Sequence, residues 1–249
     1  MNDNLLVGGV VVLAFVLTIV GAVLMRRWRG ALRPIAAYAA MPTLVDAAIE
    51  SDRTVHASLG SAGIGAESTL TALVGAEAMQ ALAERAAIGD RSPVITMSDP
   101  MGLALAQDAL RRGYAARGVP ARFDRLAAAW FPHGPGSLAF AAGAASLASD
   151  ERASANVLMG RFGPEMIVLG EMGARRDMAQ IAGSDLLEGQ AVAYVSADMP
   201  LIGEELFVGG AYLTEDGVKR GGVLAQDVLR LIVIAVMVLA FVIATLTAG

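Results

Sequence analysis

Residues 5–25 read LLVGGVVVLAFVLTIVGAVLM, 21 positions without a charge. A helix of that length rises about 30 Å, the thickness of a bilayer's hydrocarbon core. Residues 231–249, LIVIAVMVLAFVIATLTAG, form a second uncharged run. Backbone N–H and C=O groups cannot go unpaired in lipid, so both runs predict transmembrane helices. Everything else the chain folds into must lie between them. Composition agrees. Hydrophobic residues make up 55% of the 249 and charged residues 17%, and mean hydropathy is +0.57. These values exclude a disordered chain, a collagen and an ordinary cytosolic enzyme, and the absence of cysteine excludes a disulfide scaffold.

The first run reads as an uncleaved anchor rather than a signal peptide. No Lys or Arg precedes it, and it ends in RRWR instead of a small-residue cleavage site. Arg26, Arg27, Arg29 and Arg33 follow the first run, and Lys219, Arg220 and Arg230 precede the second. Basic flanks stay in the cytoplasm. The expected arrangement is therefore a two-pass protein of the inner (plasma) membrane. Residues 1–4 are outside, 5–25 span, 26–227 form a cytoplasmic domain, and 228–249 span again and end in a short outer tail. Trp28 suits an interfacial position.

The central part is long enough for one domain with a sizeable core. Short apolar runs alternate with Ala-rich stretches. Strands are expected at 54–59, 93–97, 156–159, 178–182 and 191–195. Helices are expected at 66–87, 100–117, 136–148, 164–175 and 201–213. The alternation predicts an α/β, Rossmann-like, mostly parallel doubly wound sheet with helices on both faces. The strands read as apolar on both sides, as a covered sheet requires. Residues 118–135 read as an exposed excursion. Gly170, Gly173, Gly209 and Gly210 allow close helix approach, either inside the head or between subunits.

In an open parallel sheet, ligands bind beyond the carboxyl ends of the strands. The expected strands end there in small or polar residues. Gly60, Ser61, Gly63 and Gly65 follow the first, Ser98 and Asp99 the second, Arg161 the third, Ser184 the fourth and Asp198 the fifth. The glycine-rich turn before a helix could present N–H groups to an anion. It is neither G-x-G-x-x-G nor a P-loop, and tight βα turns need glycine without any ligand. Arg161 could pair with a bound anion, or bridge Asp99 or Asp185. Asp99 and Asp198 could equally cap helices.

No catalytic constellation emerges. Without cysteine there is no thiol nucleophile or thiolate metal site, and no G-x-S-x-G or H-E-x-x-H is present. His56 falls inside a strand and reads as a satisfied core residue; His133 is far from it in sequence. Glu204 and Glu205 suit a helix start, and Glu165 and Glu171 lack the spacing of a helical metal site. A net charge of −5 with scattered arginines argues against nucleic acid. No cofactor is indicated. Two uncharged spans per subunit offer no polar path for a transporter or channel unless many copies form a ring.

The segments PVITMSDP, ANVLMGRFGPEMIVLGEMGA, AQIAGS and LIGEELFVGGAYL, with Val55–Gly60 (VHASLG), resemble a family of bacterial and archaeal proteins of unknown function, DUF6754. The likeness covers most of residues 50–230. It implies a membrane-anchored cytoplasmic domain and names no reaction. Two functions are then expected of such a chain. One is a non-catalytic assembly or accessory protein, self-associating or part of a larger membrane complex. The other is a head that binds, or acts on, a nucleotide or phosphorylated metabolite at the rim.

Overall fold

The computed structural model describes residues 32–65, 67–132, 136–214 and 217–247, with positions 9, 12, 13, 15, 16, 19 and 20 of the first apolar run. Those seven positions are helical, and the bulky ones, such as Val12 and Phe15, are exposed. The rest of that run, the RRWR flank with Trp28, Ala66, and His133 and Gly134 lie outside the described residues. The chain divides into two compact units, Pro34–Leu213 and the remainder, Met1–Arg33 with Thr214–Gly249.

The unit Pro34–Leu213 is α/β. In chain order it contains α1 (Ala36–Glu50), β1 (Thr54–Gly60), α2 (Thr69–Ala86), β2 (Val94–Met97), α3 (Pro100–Ala116), β3 (Ala128–Trp130) and α4 (Leu138–Asp150). Then follow β4 (Ala153–Arg161), α5 (Met166–Arg175), β5 (Ala179–Ser184), α6 (Leu187–Ser196), β6 (Met199–Leu201) and α7 (Gly209–Leu213). The sheet order is β3-β2-β1-β4-β5-β6, and every pairing is parallel. This is the order of the doubly wound dinucleotide folds, with the reversal between β1 and β4. α2 packs on α1, α3 and α7, while α5 packs on α4 and α6. Two separate cores result. One is built on Val55, Ala57, Leu59, Val157 and Ile181, the other on Phe140, Leu158, Phe162, Met166 and Leu169.

β1 is buried along its whole length, as a sheet covered on both faces requires. Its chemistry nevertheless alternates. Val55, Ala57 and Leu59 join the first core. His56 points the other way, into a polar ladder that crosses four strands. Thr96 Oγ1 lies 2.9 Å from His56 Nε2, and His56 Nδ1 lies 2.7 Å from Asn156 Oδ1. Asn156 Nδ2 donates to Gln180 Oε1 and to the Leu169 carbonyl, and Gln180 Nε2 donates to the Gly170 and Ser196 carbonyls. An amide oxygen only accepts, so Nδ1 carries the imidazole proton and Thr96 donates to Nε2. Parallel register aligns the ladder, with His56 opposite Asn156 and Asn156 opposite Gln180.

Several expected elements are corrected. Residues 191–195 are not a strand; they lie within α6, and the sixth strand is Met199–Leu201. Residues 201–213 are not one helix. They hold the end of β6, a 3-10 turn at Gly203–Leu206 and the short α7. α1 and the three-residue β3 have no counterpart in the sequence reading. α1 reads as neither periodic nor polar, and Pro42 sits within it. Residues 118–127 do run largely exposed over the surface, but β3 returns the chain to the sheet beside β2. The small residues pack internally: a side chain at Gly170 would meet Ser196, at Gly173 Gln180, and at Gly209 Tyr38.

The second unit holds α8 (Gly217–Thr247). Its stretch Val218–Val238, with mean hydropathy 1.9, is long and apolar enough to cross a membrane, and it is the one such helix among the described residues.

Candidate functional site

Because the strands are all parallel, their carboxyl ends share one edge of the sheet. Gly60, Ser61, Gly63, Gly65, Ser98, Asp99, Arg161 and Ser184 all lie on or just beyond that edge. Asp198 does not. With 191–195 helical, Asp198 sits just before β6 on the opposite, amino edge, where its carboxylate accepts from the Gln180 N–H at 2.8 Å. It belongs to the junction of β5 and β6, and it neither caps a helix nor faces the rim.

The glycine-rich turn is closed on itself. Gly60 adopts φ +59°, and a side chain there would collide with the Arg161 carbonyl and the Phe162 ring. Its N–H donates to Ser58 Oγ, and its carbonyl accepts from the N–H of Ser98 at 2.8 Å. The N–H and hydroxyl of Ser61 both donate to the Arg161 carbonyl, at 2.9 and 3.1 Å. The N–H groups of Ala62, Gly63 and Gly65 go to the Leu59 carbonyl, Ser68 Oγ and Thr69 Oγ1. An anion cradle needs several outward N–H groups; here five are engaged within the chain. Gly63 also backs onto the Asp99 carboxylate, where a side chain would clash.

The other rim residues are engaged as well. Asp99 caps α3 by accepting from the N–H groups of Met101 and Gly102, at 2.8 and 3.2 Å. Ser184 Oγ accepts from the N–H groups of Phe162 and Leu186 and donates to the Phe162 carbonyl. Arg161 pairs with Asp185 at 3.5 Å and with Glu67 at 3.3 Å, so of its two expected partners it takes Asp185 and not Asp99. Among the described residues, Glu67, Asp99, Glu165, Asp185 and Glu188 near this edge are acidic. A phosphate placed there would meet more repulsion than attraction.

Two carboxylate oxygens stand out. Glu165 precedes α5 and is buried; its Oε1 accepts from the Gly163 N–H at 2.9 Å, while its Oε2 is buried without a partner. Asp185 Oδ2 accepts from Thr71 Oγ1 at 3.0 Å, while its Oδ1 is also buried and unpaired. From sequence Glu165 is weighed as a metal ligand, and Asp185 as a rim residue and a partner for Arg161. Thr71 was missed altogether, since a hydroxyl inside a helix carries no local signal. Among the described residues no group of three His, Asp or Glu converges as a metal site. His56 is fully buried in the ladder, and that burial pulls its pKa down to about 4, leaving a neutral imidazole.

The family described as Domain of unknown function (DUF6754) matches residues 1–249, the whole chain. No curated protein and no solved structure matches it.

Proposed function

The chain belongs to the DUF6754 family, and we propose that it is a membrane-anchored, non-catalytic assembly or accessory protein whose α/β head makes protein contacts. The supporting observation is the rim. At the edge where this topology binds ligands, the turn N–H groups, Ser184 and Asp99 all hydrogen-bond within the chain. A head built to cradle a nucleotide would hold such groups available. In this reading residues 5–25 and α8 anchor the head as a two-pass protein. The arginine-rich flanks keep residues 26–227 in the cytoplasm and both termini outside. The small residues of α5 and α7 are occupied internally, so contacts with other chains fall on other surfaces.

A second reading keeps a ligand at the rim, near Gly60–Gly65, Ser98, Arg161 and Ser184. The unpaired oxygens of Glu165 and Asp185 favour it. Carboxylate oxygens accept only, so they call for a ligand's hydroxyl or amine donors more than for its phosphate.

Native mass spectrometry of the full chain, extracted gently from its own membranes, separates the two. The assembly reading expects integer multiples of 25.6 kDa, or that mass with other subunits attached. A single chain carrying a few hundred extra daltons would overturn it in favour of the ligand.

A further inference from the structure

The helices on both faces of the head open on exposed apolar side chains. Leu70 is 60% exposed in the first turn of α2, Met101 49% in α3, Leu138 64% in α4, Ile167 47% in α5 and Leu187 80% in α6. Each of these helices follows a strand of one parallel sheet, so all five first turns lie at the carboxyl edge. Trp130, 44% exposed at the end of β3, shares it. One exposed leucine needs no explanation. First turns favour capping and acidic residues, and a large apolar residue recurring in five of them marks a contact surface.

The charges on this edge decide what fits it. Glu67 has 88% of its side chain exposed, and Glu188 is exposed beside Leu187. Among the described residues the cation here is Arg161, which is 20% exposed and already paired with Asp185 and Glu67. An anionic bilayer would be repelled. A second copy meeting this edge through a two-fold axis would set carboxylates against carboxylates.

We propose that the carboxyl edge of the head docks a segment of a different protein, one with apolar side chains flanked by Lys or Arg. The apolar side chains pack against Met101, Leu138, Ile167 and Leu187. The basic groups meet Glu67 and Glu188. This rests on the assembly reading and adds to it the face used and the chemistry of the partner.

The test uses the full chain in its own membranes, with Leu187→p-benzoylphenylalanine or Leu138→p-benzoylphenylalanine as photocrosslinkers. Tyr194→p-benzoylphenylalanine, exposed near the far end of α6, is the control. Crosslinked peptides are sequenced by mass spectrometry. The expected result is an adduct at 187 and 138, but not at 194, with an apolar, Lys/Arg-flanked peptide of another protein. Its yield should fall at least about fivefold when Glu67→Lys and Glu188→Lys are combined, as lost charge complementarity implies. Lipid adducts, a peptide of this same chain, equal yield at 194 or no adduct would each overturn the proposal. If native mass spectrometry still finds a larger complex, only the choice of face fails. If it finds a lone chain, the assembly reading fails too.

Discussion

The polar ladder inside the sheet and the carboxylate of Glu165 at its carboxyl edge are buried to a similar depth, yet only the ladder is fully matched. His56 and Asn156 are fully buried, and Glu165 is nearly so. What differs is the balance of donors and acceptors. In the ladder a hydroxyl, an imidazole and two amides alternate giving and receiving, so each bond orients the next. At the rim, Glu165 and Asp185 each bind a donor through one oxygen and leave the other buried and unmatched. A buried network is stable when every member is matched. The ladder closes within the chain, whereas the rim leaves two carboxylate oxygens without a donor among the described residues.

The largest expected effect tests the ladder. His56→Leu should cost roughly 3 kcal/mol in a denaturant titration at pH 7, because it leaves Asn156 Oδ1 and Thr96 Oγ1 buried and unmatched. The same residue sets a pH dependence. Its folded pKa of about 4 lies below the ordinary value of 6.5, so the unfolded chain takes up the proton first. The stability His56 contributes is complete above pH 6.5 and is lost progressively as pH falls towards 4. Titrations across that range should show the slope in the native protein and lose His56's share of it in His56→Leu.

Asp99→Ala comes next. Losing the α3 cap should cost about 1 kcal/mol by thermal or urea melting. Glu165→Met should cost only about 1 kcal/mol, since it orphans the Gly163 N–H but removes an oxygen that was already unmatched. A loss several times larger would move Glu165 into the ladder's class and blunt the contrast. The smallest change is expected at the amino edge. There Arg91 hydrogen-bonds Asp52 and holds its carboxyl below the usual range. Both groups are well exposed, so Arg91→Ala should leave the melting temperature nearly unmoved.

Much of this head was legible from local pattern. β1 and β2 end in glycine and Ser-Asp-Pro, and α3 opens with Asp99 as its cap and Pro100 in its first turn; such signals are local. α6 was misread because Ala191-Val-Ala-Tyr-Val195 is rich in β-formers. Tertiary packing overrides that preference. Gly189 presses α6 against Ser184 and the Phe162 carbonyl, where a side chain would not fit. That one misreading also carried Asp198 to the wrong edge of the sheet. The apolar rim had a signal that went unread: Leu, Met or Ile at the first or second position of five helices, too near the start to belong to a buried stripe. The ladder was legible only in part. His56 could be placed in the core, but its partners Thr96 and Asn156 lie 40 and 100 residues away along the chain.

Phe162 fills the space beside the point where the strand order reverses. Its ring is fully buried and lies against Gly60, beside the reversal between β1 and β4, where open sheets of this order hold their guests. The ring packs there with Phe140, Leu158 and Met166 as part of the second core. Phe162→Ala would vacate that seat, and a dry, benzene-sized hollow of this kind accepts small aromatic molecules from solution. Thermal stabilisation of that variant by added benzene would show that the cavity stays open instead of collapsing.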